Sequence, residues 1–275
     1  MRKLFTLAAV LLLAIAATAQ DERTCVCVDK FRNNSGMSDI TVNNLRNEIM
    51  QGILDKKRLT VVDITAIPNM PSDMAGKLAV LRERNIEYLV EGTMNSIITK
   101  PSSDTKLYTA EINYTLTIVD PATGVTKSTD TYKDSWSIGS SGDEAILKAI
   151  ENAKKRMATF VDEKFKVEAI IKALDQIDEK KGAVKTCYIS VGSNAGIQKG
   201  QIFEVLIMAE VAGEQIEKKI AEVKAKEVMS GTLTLCEVKS GGQEIKKNFD
   251  EKVTMIVLSR ASKNLFNTSK SLIGL

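Results

Sequence analysis

The sequence predicts an α/β (α+β) protein built as a mixed β-sheet sandwiched by helices, followed by a small C-terminal β-barrel. Three observations carry that expectation. A β-branched run, a capped amphipathic stretch and a second β-branched run follow one another within residues 25–63, the pattern of a strand–helix–strand unit with parallel strands and a right-handed crossover. Residues 108–120 alternate strictly between apolar and polar, as a half-buried strand does. Beyond Phe165 the helical period gives way to short strand-like runs separated by glycine-rich turns, the pattern of a small barrel.

The chain opens with Arg2 and Lys3, an apolar run over residues 4–16 and the small-residue box Ala17-Thr18-Ala19. That is the layout of a cleavable secretory signal. The run falls short of the roughly twenty residues a membrane span needs. Cleavage is expected after Ala19. A lipoprotein signal would place a cysteine directly after the small-residue box, whereas Cys25 follows Asp21-Glu22-Arg23-Thr24. The expected product is a soluble, periplasmic mature protein without a transmembrane span.

In the opening unit, residues 25–31 alternate as a strand and Asn33-Asn34-Ser35-Gly36 breaks it. Ser38 or Asp39 can cap the helix, because a short side-chain oxygen satisfies the open N–H groups of a first turn. Ile40, Leu45, Ile49, Ile53 and Leu54 supply its expected apolar stripe, and Leu59-Thr60-Val61-Val62-Asp63 the second strand. A loop with Pro68 and Pro71 follows, then a short helix capped by Ser72 or Asp73 and carrying Met74, Leu78 and Leu81. A strand is expected over 86–98, the alternating strand over 108–120, and a return strand over 125–138 after the turn Pro121-Ala122-Thr123-Gly124. That return strand is rich in Thr, Ser, Lys and Asp, as suits a sheet edge that must resist pairing with other chains. The longest helix begins at Asp143, with Ile146, Ala149, Ile150, Ala153, Met157, Phe160 and Val161 inward and Lys154, Lys155 and Arg156 outward. Barrel strands are expected over 167–174, 184–191, 202–207, 216–228, 232–238 and 252–258. The division is thus signal 1–19, α/β domain 20–165, barrel 166–262 and tail 263–275.

The composition excludes several functions. Of 275 residues, 44% are hydrophobic and 27% charged, with a net charge of +3 and no basic block, so there is no footprint for nucleic acid. The absence of histidine removes Ser-His and Cys-His catalysis and mixed zinc sites. Asn33-Asn34-Ser35-Gly36 lacks the glycine and lysine spacing of a phosphate loop. Carboxylate pairs such as Asp143 with Glu144 fall on helical surfaces beside lysines, where ion pairing is weak. No enzyme, cofactor or metal is expected. Cys25 and Cys27 share one face of a strand, where direct bonding is geometrically poor. Cys187 and Cys236 fall in separate strands and are either small buried hydrophobes or a disulfide pair. Tyr108, Tyr114, Tyr132 and Trp136 are aromatic candidates for recognition, or else Tyr132 and Trp136 cover the sheet under the long helix.

Several runs resemble the CsgG/LpoB-like envelope family: Phe31-Arg32-Asn33-Asn34-Ser35-Gly36, Leu45-Arg46-Asn47-Glu48-Ile49, Arg58-Leu59-Thr60-Val61-Val62-Asp63, Tyr88-Leu89-Val90-Glu91-Gly92-Thr93 and Ile118-Val119-Asp120-Pro121-Ala122-Thr123-Gly124-Val125. The resemblance covers about residues 25–165. Gly192, Gly196 and Gly200 resemble the C-terminal β-barrel of FlgT-like proteins. The family includes a curli-secretion channel and an activator of a penicillin-binding protein. The resemblance therefore implies an outer-membrane-associated, protein-binding scaffold that assists assembly, secretion or regulation of an envelope machine, with envelope protein partners and a possible homo-oligomer. A curli-type channel subunit is the first alternative, although the turn 100–106 is too short and residues 125–138 too polar for spanning hairpins. An envelope hydrolase is the second. Loops after the parallel strands nominate Arg32, Asn33, Asn34 and Met70 for protein binding, with Tyr132 and Trp136 next.

Overall fold

The structure, a computed structural model, describes residues 23–103 and 105–260, with side chains for all of these except Ser135 and Trp136. The expected signal, its cleavage point and the tail lie outside the described residues.

The first half is a mixed sheet. Strand β1 (Thr24–Val28) leads through the short β2 (Arg32–Asn33) to helix α1 (Asp39–Asp55), then to β3 (Leu59–Asp63), α2 (Met74–Glu83), β4 (Tyr88–Pro101), β5 (Tyr108–Val119), β6 (Thr126–Gly139) and α3 (Gly142–Lys164). The strand order is β3-β1-β4-β5-β6, with β2 continuing the line of β1 along β4. β1 runs parallel to β3 and β4, and the β4–β5–β6 meander is antiparallel. The crossovers β1–α1–β3 and β3–α2–β4 run in opposite directions across the sheet. Right-handedness therefore puts α1 and α2 on opposite faces. α1 and α3 bury Leu45, Ile49, Ile53, Ala149, Met157 and Phe160 against Val26, Val28, Ile112 and Leu116. α2 covers Cys27, Ile64, Leu89 and Val119 on the other face with Leu81.

Local signals place the helix starts. Ser38, Asp73 and Ser141 each accept a bond from an N–H of the first turn. The α1 stripe differs from expectation. Val42, Leu45, Arg46, Ile49 and Ile53 face inward, whereas Ile40 is 73% exposed and Leu54 is also exposed. Leu45, Ile49 and Ile53 set the phase; Ile40, five positions before Leu45, falls on the far side of the helix. On α3, Arg156 departs from its expected outward position. It instead reaches Asp134 on β6, Nε to Oδ1 at 2.7 Å, while Lys164 reaches Asp130 and Asn152 reaches Ser137. β6 is a sheet edge, as its polarity suggests, but part of that polarity is spent on α3.

Where α1 and α3 cross, Gly52 has no room for a side chain: a Cβ would lie 2.4 Å from the Lys154 carbonyl oxygen and 2.8 Å from Met157 Cβ. Gly52→Val should therefore cost about 1–3 kcal/mol, as overpacking does. Urea denaturation reads this as a lowered midpoint. An unchanged midpoint would mean that the two helices do not meet there.

The second half is a closed antiparallel barrel in the order β10-β11-β8-β7-β12-β9. Its strands are β7 (Glu168–Asp178), β8 (Ala183–Ile189), β9 (Ile202–Val211), β10 (Glu214–Val228), β11 (Thr234–Ser240) and β12 (Ile256–Arg260). A helix, α4 (Gly242–Asp250), precedes β12 and inserts Ile245 into the barrel core. The strand-dominated expectation for this half does not include it.

The two halves meet at Arg58. Its guanidinium is buried and donates to Asp162 Oδ1 at 2.6 Å, to the Phe165 carbonyl and to Ser259 Oγ on β12 at 3.2 Å. Lys56 Nζ donates to the other Asp162 oxygen at 3.0 Å. Ser259 Oγ also accepts from the Val167 N–H. Burial pulls the guanidinium below its ordinary pKa, and the Asp162 carboxylate opposes that. Gly196, with φ of +67°, packs on the Lys57 carbonyl where a Cβ would be 2.3 Å away, so the turn can lie flat against the sheet half.

Candidate functional site

The parallel strands end along one edge of the sheet, and their loops gather there. After β1 the chain turns at Asp29, and Phe31 lays its ring over Gly92, where a Cβ would lie 2.2 Å from it. Only glycine permits that approach. β2 then pairs in register with β4, Arg32 opposite Thr93 and Asn33 opposite Met94. Arg32, with a side chain 70% exposed, points outward and meets Glu91 at 3.1 Å. Asn34 anchors its N–H to the Met94 carbonyl at 2.9 Å and leaves its side chain in solvent.

Asn33 shapes the turn between them. Its Nδ2 donates to the Met37 carbonyl at 2.8 Å and to Asp39 Oδ1 at 3.2 Å. Its Oδ1 accepts from the Ser35 N–H and hydroxyl. An asparagine closing such a turn restricts the loop to one backbone path.

Beneath the loop lies a charged cluster. Arg46 is buried, donating from Nε to the Asp29 carbonyl at 2.7 Å and from Nη2 to the Val28 carbonyl at 3.0 Å. It thereby supplies donors to two carbonyls at the C-terminal end of β1. The same guanidinium grips both Asp63 oxygens at the end of β3. Partial burial pushes the Asp63 carboxyl up, but the bonds from Arg46 and Thr65 prevail and hold it at about 2. Lys77 on α2 pairs with Asp29 Oδ2 at 2.6 Å. Burial, then the Asp29 and Asp63 carboxylates, push the Cys27 thiol up to about 12, so it supplies no thiolate near neutral pH. These partners make the cluster a brace for the loop, with its charge turned inward. Among the described residues no group of His, Cys, Asp and Glu has metal-binding geometry.

The nominated residues separate on inspection. Arg32, Asn33 and Asn34 stand together along this edge, but Asn33 is committed to the turn. Met70, nominated for binding, is half-buried against the α2-side core. Tyr132 takes the second of its two expected roles, covering the sheet under the long helix. It lies under α3, stacked on the buried Tyr114 at 5.3 Å, edge-on to Phe160, with Arg156 5.8 Å above its ring. The polar-tipped aromatics there cover the sheet. Trp136 lies on β6, and its side chain is outside the description. Tyr108 remains exposed at the end of β5. Cys187 and Cys236 stand opposite each other in the β8–β11 register, both fully buried as thiols. Sequence reasoning missed Arg46, Arg58 and Asp162 as tertiary ties. Their only advance signal was a charged residue beside or within an apolar stripe.

Two shallow grooves of about 380 and 590 Å³ run between α1 and α3, lined by Asn44, Glu48, Leu147 and Glu151 in one and by Gly52, Asp55, Lys154 and Lys155 in the other. They lie on a helical face, away from the loop edge. No described helix is long and apolar enough to cross a membrane.

No family model matches the sequence, and no curated protein matches it. Among solved structures, the chain is similar to the PelC dodecamer from Paraburkholderia phytofirmans, at 14% identity over 49% of this chain and 87% of that one, with a TM-score of 0.35. It is similar to lipoprotein GNA1162 from Neisseria meningitidis at 11% identity over 47% and 94%, with a TM-score of 0.34. It is also similar to the LpoB C-terminal domain from Escherichia coli at 10% identity over 40% and 81%, with a TM-score of 0.31. Likeness at these scores assigns no family and no function.

Proposed function

We propose that this chain is an exported, non-enzymatic binding protein that assists assembly, secretion or regulation of a cell-envelope machine, and that it engages its protein partner through the loop from Arg32 to Asn34. The observation that carries this is the set of hydrogen bonds that fix the loop's path. Asn33 closes the turn, Arg46 braces its base, and two side chains able to make polar contacts are left facing solvent. A loop already held in one shape loses little entropy on binding, and Arg is enriched at binding hot spots. The signal-like layout of the first nineteen residues supports export, and the family-like runs in residues 25–165 support an envelope role. The division into an α/β domain and a barrel domain near residue 165 belongs to the same proposal.

The double variant Arg32→Ala, Asn34→Ala is the test. Arg32 gives up only an exposed ion pair with Glu91, worth little, so stability should stay within about 0.5 kcal/mol of the parent. Capture of envelope proteins by the immobilised variant should fall relative to the parent, measured side by side. Unchanged capture together with unchanged stability would move the interface elsewhere. A large loss of stability would make the loop structural.

A further inference from the structure

β9 and β10 are longer than the barrel that holds them. β12 accompanies β9 only as far as Leu206, and β11 accompanies β10 only from Glu222. Beyond those points the two strands pair with each other alone, from Ile207 with Lys218 to Val211 with Glu214. The result is a two-stranded arm, closed by Ala212 and Gly213 with φ of +55° and +88°. Positive φ at both positions is the signature of the tight hairpin turn whose twist matches its strands.

The arm has one face that is apolar along β9 and at Ile216, and two open edges. Paired residues share a face, so Ile207, Ala209, Val211 and Ile216 lie on one side, with Glu214 and Lys218 at its outer corners. Val211 is 53% exposed and Ile216 41%. A lone hairpin is marginal in water, and open edges with an apolar face invite pairing. The edges differ. On the β10 side, Glu214, Glu217, Lys218 and Lys219 guard the edge with charge. The β9 edge, Ile207-Met208-Ala209-Glu210-Val211, has a single charge. In a two-residue hairpin Val211 and Glu214 exchange backbone bonds, so Met208 and Glu210 aim their N–H and C=O groups away from β10.

We propose that this β9 edge pairs antiparallel with the same edge of a second copy of the chain, about a two-fold axis through Ala209. In that register Met208 meets Glu210 of the second copy and exchanges both backbone bonds, twice over. Ile207 meets Val211, and Ala209 meets itself at a close, non-hydrogen-bonded position that its small side chain fits. No charge faces a like charge. The four strands present one continuous apolar strip, with both Ile216 side chains on its flanks. A strand from an unrelated partner is the competing occupant. The self-complementary register favours the second copy.

The test uses the full mature chain. Sedimentation should give a two-chain mass at tens of micromolar, and Ala209→Lys, which sets two ammonium groups against each other on the axis, should halve it. Ala209 lies outside the barrel pairing, so thermal unfolding compared at a dilution where both proteins are single chains should not change. As a second variant, Ala209→Cys should give a covalent dimer under mild oxidation, whereas Ile216→Cys should not, because three strand spacings, about 14 Å, separate its two copies. A single-chain mass for the parent, a two-chain mass for Ala209→Lys, or cross-linking at Ile216→Cys in place of Ala209→Cys would each overturn the proposal. Partner capture through Arg32 and Asn34 is measured separately, so failure of one proposal leaves the other standing.

Discussion

Replacing Arg58 with Ala is expected to destabilise the protein by about 3–5 kcal/mol, the cost of leaving a buried carboxylate without its main partner. Asp162 would keep only Lys56, whose side chain is partly exposed, while the Phe165 carbonyl and Ser259 hydroxyl would each lose a donor. Lys56 places the expected loss toward the lower end of that range. Urea denaturation followed by circular dichroism would show it as a fall in midpoint. Because Arg58 joins the end of α3 to β12, the barrel and sheet should also begin to unfold at different urea concentrations. The double variant Arg58→Met, Asp162→Leu removes both charges and should recover much of the loss, since well-packed apolar groups can replace a buried ion pair. If the single variant unfolds with the parent, the pair contributes no net stability and the two halves are held by packing alone.

Refolding in an oxidising glutathione buffer is expected to join Cys187 to Cys236 and raise resistance to urea by up to about 4 kcal/mol, the chain-entropy value for a closed loop of about fifty residues. Directly opposed residues in an antiparallel pair bring their Cα atoms within the range that a disulfide requires. Timing matters. In the folded barrel, burial pushes the Cys187 thiol up to about 12; burial and then the nearby Cys187 push Cys236 higher still. Thiolate is the attacking species, so bonding should occur while β8 and β11 are still open to solvent. Mass spectrometry after alkylation in denaturant would detect the bond, and Cys187→Ala should abolish any dependence of the urea midpoint on reductant. Alkylation of both Cys187 and Cys236 after oxidative refolding would rule the bond out.

Much of the fold was legible because its signals are local. The strict alternation from Ala110 to Ile118 is the inward face of β5, and the stripe from Ile146 to Val161 is the buried face of α3. Ser38 and Asp73, both candidate caps by residue type, bond the first turns of α1 and α2. α4 was not legible: nine residues with Ile245 and Phe249 as its apolar contacts look much like a turn between strands. For the candidate site, the loop and its edge could be placed from the strand–helix–strand pattern. The division of labour within it, with Asn33 closing the turn and Arg32 free to face outward, could not.

The sequence by itself determined the class of the protein, the order of its main elements and the face that most of them bury, because hydrophobic period and capping depend on neighbours within about two helical turns. Tertiary structure alone decided the fate of the charged and mixed residues. Arg46 became a brace because the ends of β1 and β3 converge on it. Arg58 became a tie because Asp162 and Ser259, 104 and 201 residues away, arrive on its two sides. Arg156 turned inward because β6 offered Asp134 beneath α3. A buried charge is tolerated only where a partner is already in place, and partners that distant in the chain are chosen by packing and strand register.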